Sequence, residues 1–409
     1  MMNFLYNFSI KAYQAGVKLV AGRNAKATKM IEGHAKIMDI LNEKIIQGEK
    51  YIWIHVASLG EFEQGRPLIE MIKRENASRK IVLTFFSPSG YEIRKNYKEA
   101  DVICYLPFDI PSKVTQFLDI VNPEMAIFVK YEFWGNYLEQ LKQRGIPTYI
   151  ISAIFRDSQV FFKGWGGVFR KMLNCFTHFF VQDENSKKLL KNIGLTNVDV
   201  CGDTRFDRVT DIMATTKAFP IVENFTKGKF TLIIGSSWQP DEDIIIPYFN
   251  SHPEMRLIIA PHEFDAERVK ALQSRITRKS VLYTETNETE AAEADCLILN
   301  CFGILSSCYR YAQVAHIGGG FGVGIHNINE AAVYGMPVIF GPKYHKFKEA
   351  HDLIAAGGAF SIQSAEEFAA KMDKMLKDKT YLSDCGTRAK HYIESQLGAT
   401  ERIYNKIFK

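Results

Sequence analysis

The stretch YIWIHVASLGEFEQGRPLIEMIKRENASRKIVLTFF (51–86) decides the fold. It opens on a continuous apolar run, YIWIHVA (51–57), turns through a short polar segment, and continues as the amphipathic QGRPLIEMIKREN (64–76). It closes on a second apolar run, KIVLTFF (80–86). Neither run alternates apolar with polar residues, so each reads as a strand covered on both faces, as in parallel sheets joined by helices. The same unit repeats outward. DVICYL (101–106), EMAIFVK (124–130), PTYIIS (147–152) and THFFVQ (177–182) carry it through the first half, with SKVTQFLDIV (112–121) among the helical connections. FTLIIG (230–235), RLIIAP (256–261), CLILN (296–300), QVAHIGG (313–319) and PVIFG (337–341) resume it in the second half. Between them RVTDIMATTKAFPIVENFTKGK (208–229) is polar and strandless, and the linker is expected there. At 409 residues the chain exceeds one ordinary core. The expected architecture is α/β: two doubly wound, Rossmann-like domains at 23–215 and 216–409 facing a cleft, preceded by a helix at 1–22.

Composition is globular, with 46% apolar and 24% charged residues and no biased tract. A net charge of +5 suits anionic substrates or an acidic membrane surface, and falls well short of the basic excess of a nucleic-acid binder. The seven cysteines stand singly, without a CxxC pair, which argues against a disulfide framework or a zinc site. The N-terminal MMNFLYNFSIKAYQAGVKLVAG is apolar and aromatic, but Lys11 and Lys18 interrupt it, and a spanning helix wants about 20 nearly uncharged residues. With Arg23, Lys26 and Lys29 behind it, it reads either as an interfacial anchor or as a helix packed on its own domain.

Three turns carry candidate chemistry. In HVASLGEFEQGRP (55–67), Ser58, Gly60 and Glu61 lie at a strand-to-helix turn. There a carboxylate either takes a proton from a substrate hydroxyl or merely complements the helix dipole. GSSW (235–238) precedes a helix start, so its backbone N–H groups, with Ser236 and Ser237, form a ready anion site. IGGGFGVGIHNINEAA (317–332) is a glycine-rich loop opening another helix. It places Asn327 and Glu330 on one face, for a ribose contact or for a capping box. No Walker lysine, HExxH or GxSxG occurs, and Asp241 and Asp243 read as dipole complements rather than a metal pair. No metal or other cofactor is expected.

Taken together and in order, HVASLGE, TFFSPSGYE, YLPFD, VNPEMAIFVKYEFWGNYL, ISAIFRDSQ, GDTRFD, GSSWQPDED, NCFGILSSCYRYA, the GGGF…HNINEAA stretch and GPKYHKFKEA resemble the Kdo transferases. These GT-B glycosyltransferases of family 30 attach 3-deoxy-D-manno-octulosonic acid (Kdo) from CMP-Kdo to the lipid A precursor. The resemblance runs over roughly 50 to 360. It implies Glu61 as the general base of an inverting, metal-independent transfer. It implies an acceptor side of Ser58, Gly60, Lys130, Glu132, Trp134, Asn136 and Arg156. The donor side it implies comprises Ser236, Ser237, Pro261, His262, Phe302, Gly303, Ile304, Gly319, Asn327, Ile328, Asn329 and Glu330. The implied place is the cytoplasmic face of the bacterial inner membrane, with CMP-Kdo and the lipid A precursor as partners and no nucleic acid. Departures are local: APHEF stands where the family shows Pro-Arg-His, Gly303-Ile304 replaces a glycine-glutamate pair, and Gly135 replaces a proline. A nucleotide-sugar 2-epimerase, a transferase of another nucleotide sugar and a non-catalytic nucleotide-binding module are the alternatives.

Overall fold

The computed structural model describes residues 4–214 and 218–409, with backbone alone at 210–214. The chain divides into two compact units: residues up to Arg208 together with Leu397–Lys409, and Val209–Gln396. Each holds one seven-stranded, all-parallel sheet.

The first sheet comprises β1 Tyr51–Val56, β2 Lys80–Phe85, β3 Val102–Tyr105, β4 Pro123–Val129, β5 Thr148–Ala153, β6 His178–Val181 and β7 Val198–Val200, ordered β3-β2-β1-β4-β5-β6-β7. The second comprises β8 Phe230–Ser237, β9 Met255–Pro261, β10 Ser280–Leu282, β11 Cys296–Ile298, β12 Val314–Ile317, β13 Val338–Phe340 and β14 Ala359–Ser361, ordered β10-β11-β9-β8-β12-β13-β14. In each unit the order reverses beside the first strand, at β1/β4 and at β8/β12, which is where doubly wound sheets bind ligands. The unbroken apolar runs are explained by burial on both faces. Ile52, Ile54 and Val56 pack with Phe62, Leu68 and Ile72, while Tyr51 and Trp53 pack with Phe117, Phe128 and Tyr137.

Two boundaries differ from the sequence expectation. The 215/216 boundary lies outside the described residues, the units dividing instead at Arg208/Val209, and its flanks are the helices Arg205–Ala214 and Pro220–Thr226, strandless as expected. The C-terminal helix Ala399–Phe408 belongs to the first unit, not to the second domain. Its reason is local. Asp207 Oδ1 accepts from Gly398 N at 2.6 Å, and Oδ2 accepts from Thr400 N at 2.7 Å and Thr400 Oγ1 at 2.6 Å, which caps the helix. Ile403 and Tyr404 then bury against the Ile52–Ile72 core.

The N-terminal helix Phe4–Val20 packs on its own unit. Tyr6 Oη donates to Asp109 Oδ2 at 2.5 Å and accepts from Gly135 N at 3.0 Å, and Tyr13 meets the rings of Phe86 and Phe108. On the outer side Phe4, Leu5, Phe8 and Leu19 are 81%, 71%, 61% and 84% exposed, so docking leaves an apolar face uncovered. Among the described residues no helix is long and apolar enough to cross a membrane.

Candidate active site

In the first unit the turn after β1 delivers Glu61 into the first turn of the helix Leu59–Glu75. Its Oε2 accepts from Ala57 N at 2.7 Å and Ser58 N at 3.2 Å, so Glu61 does cap the helix. Capping does not exhaust it. Burial, then the neighbouring negative Glu132, push its carboxyl up to about 7, against the downward pull of the Ala57 N–H, Lys130 and the Ser58 N–H. Such a carboxylate is half protonated near neutral pH, where a general base is most effective.

The segment after β4 supplies the charges around it. Lys130 holds φ +67, a left-handed conformation that disfavours any side chain bearing a Cβ and persists where surroundings enforce it. Lys130 Nζ lies 5.3 Å and Arg156 Cζ 5.9 Å from the Tyr131 ring centre, so both cations lie close to that ring. Glu132 is buried, with Oε2 3.0 Å from His55 Nε2 and 2.7 Å from Trp134 Nε1. Gly60 is exposed and Ser58 half-buried at the same turn. Asn136 lies apart from this group. It is buried, with Nδ2 donating to Asp109 O at 2.6 Å and to Asn7 Oδ1 at 2.8 Å, and it helps hold the N-terminal helix.

In the second unit three turns meet backbone to backbone. A Cβ on Gly318 would stand 2.2 Å from Ser236 O, and one on Gly320 would stand 2.5 Å from Gly341 N, so only glycine allows the contact. Ser236 itself holds φ +53. Ser237 is buried and donates from Oγ to Glu242 Oε1 at 2.8 Å, which turns it inward, away from a ligand. Asp241 ties the turns: Oδ2 accepts from Trp238 N at 2.9 Å and Gly319 N at 3.0 Å, and Oδ1 lies 3.2 Å from His316 Nε2. These bonds hold its carboxyl below the usual range despite its burial. Asp243, by contrast, pairs with Arg275, so the two aspartates do not converge.

Pro261 ends β9, and the exposed His262 follows, donating N–H to Ser237 O at 2.9 Å. Its ring stacks on Trp238 at 4.5 Å and on His326 at 4.8 Å. The expected second helix is a single turn, Asn329–Ala332. Asn327 Oδ1 accepts from Asn329 N at 3.2 Å and Asn327 Nδ2 donates to Glu330 Oε1 at 3.0 Å, but the N-cap position is Ile328, without a side-chain cap bond, so the capping box does not form and Glu330 stays half-buried. Ile328 is buried, and both polar atoms of the buried Asn329 side chain have no protein partner. Phe302 is 85% exposed, against Phe264 at 4.5 Å, with Gly303 at φ +87 and Ile304 beside it. His55, Thr84, Tyr131, Trp238, His316 and His326 were not anticipated.

Residues 32–208 match the family model described as 3-deoxy-D-manno-octulosonic-acid transferase (kdotransferase). The chain is 27% identical over 336 residues to a 3-deoxy-D-manno-octulosonic acid transferase of Aquifex aeolicus, covering 80% of this chain and 86% of that one. It is 24% identical over 365 residues to the Haemophilus influenzae protein of the same name, covering 86% and 85%. Among solved structures, the putative UDP-N-acetylglucosamine 2-epimerase of Listeria monocytogenes superposes with TM-score 0.60 at 14% identity, covering 88% of this chain and 96% of that one. That likeness concerns the fold alone, the two-unit architecture of GT-B enzymes. The chain is thus similar over most of its length to Kdo transferases, and it shares the fold of the Listeria epimerase.

Proposed function

We propose that the protein transfers Kdo from CMP-Kdo to a glucosamine hydroxyl of the lipid A precursor (lipid IVA), with inversion and without a metal ion, in lipopolysaccharide synthesis. The observation that carries this reading is Glu61, a half-buried carboxylate whose proton affinity is raised to about 7 beside Glu132. Both of its backbone bonds fall on Oε2, which leaves Oε1 for an incoming proton. Glu61 takes the proton of the acceptor hydroxyl as that oxygen attacks the anomeric carbon of Kdo. The bond to the CMP phosphate oxygen breaks, and its electron pair leaves with CMP. General-base help of this kind is typically worth about 10²–10⁴-fold.

The glycine-packed turns of the second unit suit the nucleotide, since glycine lets backbone amides approach a phosphate. The unpartnered Asn329 amide and the half-buried Glu330 supply donors and an acceptor for phosphate and ribose. Metal independence is supported by the engagement of Asp241 with His316 and backbone N–H groups and of Asp243 with Arg275. The cytoplasmic face of the inner membrane suits the exposed Phe4, Leu5, Phe8 and Leu19 with Arg23, Lys26 and Lys29 following. The test is CMP release from CMP-Kdo with and without the lipid A precursor, repeated in EDTA. Acceptor-dependent release that survives EDTA is expected. An epimerase would convert a nucleotide sugar without acceptor, and a binding module would turn over neither.

A further inference from the structure

We propose that Tyr13 of the N-terminal helix and Phe86 of the turn after β2 join Trp134 in an aromatic wall that stacks on the sugar ring of the acceptor. Trp134 stands on the acceptor side implied by the resemblance; Tyr13 and Phe86 do not. The inference rests on Glu61 being the base and deepens that reading, because it gives the N-terminal helix a part in acceptor binding.

The three rings come from three separate elements and form one surface. Phe86 lies 4.7 Å from the Trp134 ring, and Tyr13 lies 6.1 Å from Phe86 at an interplanar angle of 24°. The buried Phe108 backs the wall edge-on, 6.3 Å from Tyr13 and 6.4 Å from Phe86. In front the wall stays open: Tyr13 is 48% exposed, and Phe86 and Trp134 are half-buried. Docking of the helix does not require a ring at position 13. Tyr6 already fixes it through Asp109 and Gly135, and any apolar side chain would cover Phe108.

Backbone bonds place the wall beside the base. β1 and β2 pair as far as Val56 and Phe85, so Ala57 and Phe86 are the next residues on neighbouring strands. Ser87 N donates to Ala57 O at 2.7 Å, and Ala57 N donates to Glu61 Oε2 at 2.7 Å, which ties the Phe86 turn to the Glu61 turn. Trp134 is held at the same end of the sheet, with Nε1 2.7 Å from Glu132 Oε2 and 3.1 Å from His55 Nε2. A hydroxyl that gives its proton to Glu61 comes within about 3 Å of the carboxylate, so the pyranose that carries it lies alongside these turns. Aromatic faces are negative and sugar C–H hydrogens are positive, so a pyranose packs its apolar face on such rings and leaves its hydroxyls free. The surroundings suit those hydroxyls better than a hydrocarbon chain: Ser58 is half-buried in the Glu61 turn, and Ser87 Oγ and Ser89 Oγ, 2.9 Å apart, follow Phe86.

The experiment is the KM for detergent-dispersed lipid A precursor at saturating CMP-Kdo, for the wild type, Tyr13→Leu and Tyr13→Phe, with melting and CMP affinity followed in parallel. Tyr13→Leu keeps apolar bulk but has no ring face. It is expected to raise the acceptor KM by about 3–10-fold, the range of an aromatic contact, with CMP affinity and melting near wild type. Tyr13→Phe is expected to restore the wild-type KM. The fully deacylated precursor, used as a competitive inhibitor, is expected to lose affinity for Tyr13→Leu by the same factor. An unmoved acceptor KM in Tyr13→Leu overturns the proposal. A loss confined to the acylated acceptor also overturns it, by giving the rings to the acyl chains, and a rise in the CMP-Kdo KM alone gives them to the donor. If Tyr13→Leu melts early, Phe86→Leu takes its place and is read in the same way. Absence of acceptor-dependent CMP release in the wild type would remove the transfer reading itself, whereas a wild type that transfers beside variants of unmoved KM removes the wall alone.

Discussion

Asp241→Asn should loosen the second unit and its nucleotide turns together. Asp241 is fully buried and accepts from two backbone N–H groups, Trp238 and Gly319, while pairing with His316. Asparagine keeps one acceptor oxygen for the backbone but offers an NH₂ group to His316 Nε2. His316 must then accept there and move its proton to Nδ1, which has no partner in the protein. Hydrogen bonds to charged groups contribute about 1.5–3 kcal/mol against about 1 for neutral ones, and a buried orphan donor costs about 1–3 kcal/mol. The sum is a loss of roughly 2–4 kcal/mol. For a unit of this size 1 kcal/mol shifts Tm by about 2–4 °C, so a drop of roughly 5–15 °C is expected in calorimetry. Because the Asp241 carboxyl is held below its ordinary value, its contribution is present above that value and lost as pH falls below it. The gap between variant and wild type should therefore close in acid. CMP affinity should fall as well, since a neutral amide oxygen holds Trp238 N and Gly319 N more weakly than the carboxylate does. An Asp241→Asn protein with unchanged melting and unchanged CMP affinity would refute the clamp.

Glu61→Gln is expected to lower kcat by about 10²-fold or more with CMP binding intact. In the wild type, a base at about 7 is roughly half ionised at pH 7, about nine-tenths at pH 8 and about one-tenth at pH 6, so kcat/KM should fall about fivefold from pH 7 to 6 and not quite double from 7 to 8. The same exchange at Glu63, a surface partner of Arg94 at 2.8 Å, should be tolerated. Glu330→Ala should weaken CMP binding by about 10–150-fold in calorimetry, the value of a bond to a charged group; unchanged affinity would remove the ribose contact. Replacing Phe4, Leu5, Phe8 and Leu19 with serine should abolish sedimentation with anionic vesicles while detergent-phase transfer survives, because Tyr6 and Tyr13 still dock the helix. Persistent vesicle binding would place the membrane contact elsewhere.

The central strands were legible because burial on both faces demands an unbroken apolar run, and every such run is a strand. The strands that escaped, β7, β10 and β14, are three residues long and lie at sheet edges, where partial burial asks for no such pattern. The C-terminal helix was misplaced because its ties are remote in sequence: Asp207 caps a helix whose N-cap residue, Gly398, lies 191 residues later. Glu61 was legible in position but not in strength, since its raised proton affinity depends on Glu132, which folding brings close. The bonds of Asn136 were not legible because its partner Asp109 sits in a separate turn.

One further signal lay in the runs themselves. Each sheet carries a histidine inside a central apolar strand, His55 in YIWIHV and His316 in VAHI, and both are fully buried. A buried imidazole in such a strand requires a partner. Sequence cannot name it, because the carboxylates lie 77 and 75 residues away, at Glu132 and Asp241. The two pairs are alike in chemistry and opposite in use. Asp241 spends both oxygens, one on His316 and one on backbone N–H groups, so its charge is committed to holding turns together. Glu132 Oε2 receives the Trp134 ring N–H and lies 3.0 Å from His55 Nε2, and it meets Glu61 through its field rather than through a bond. The first arrangement should therefore report in melting and the second in the pH profile. Neutralising Glu132 and neutralising Asp241 in parallel tests that division, and identical phenotypes from the two would show that the histidine–carboxylate pairs serve one structural purpose.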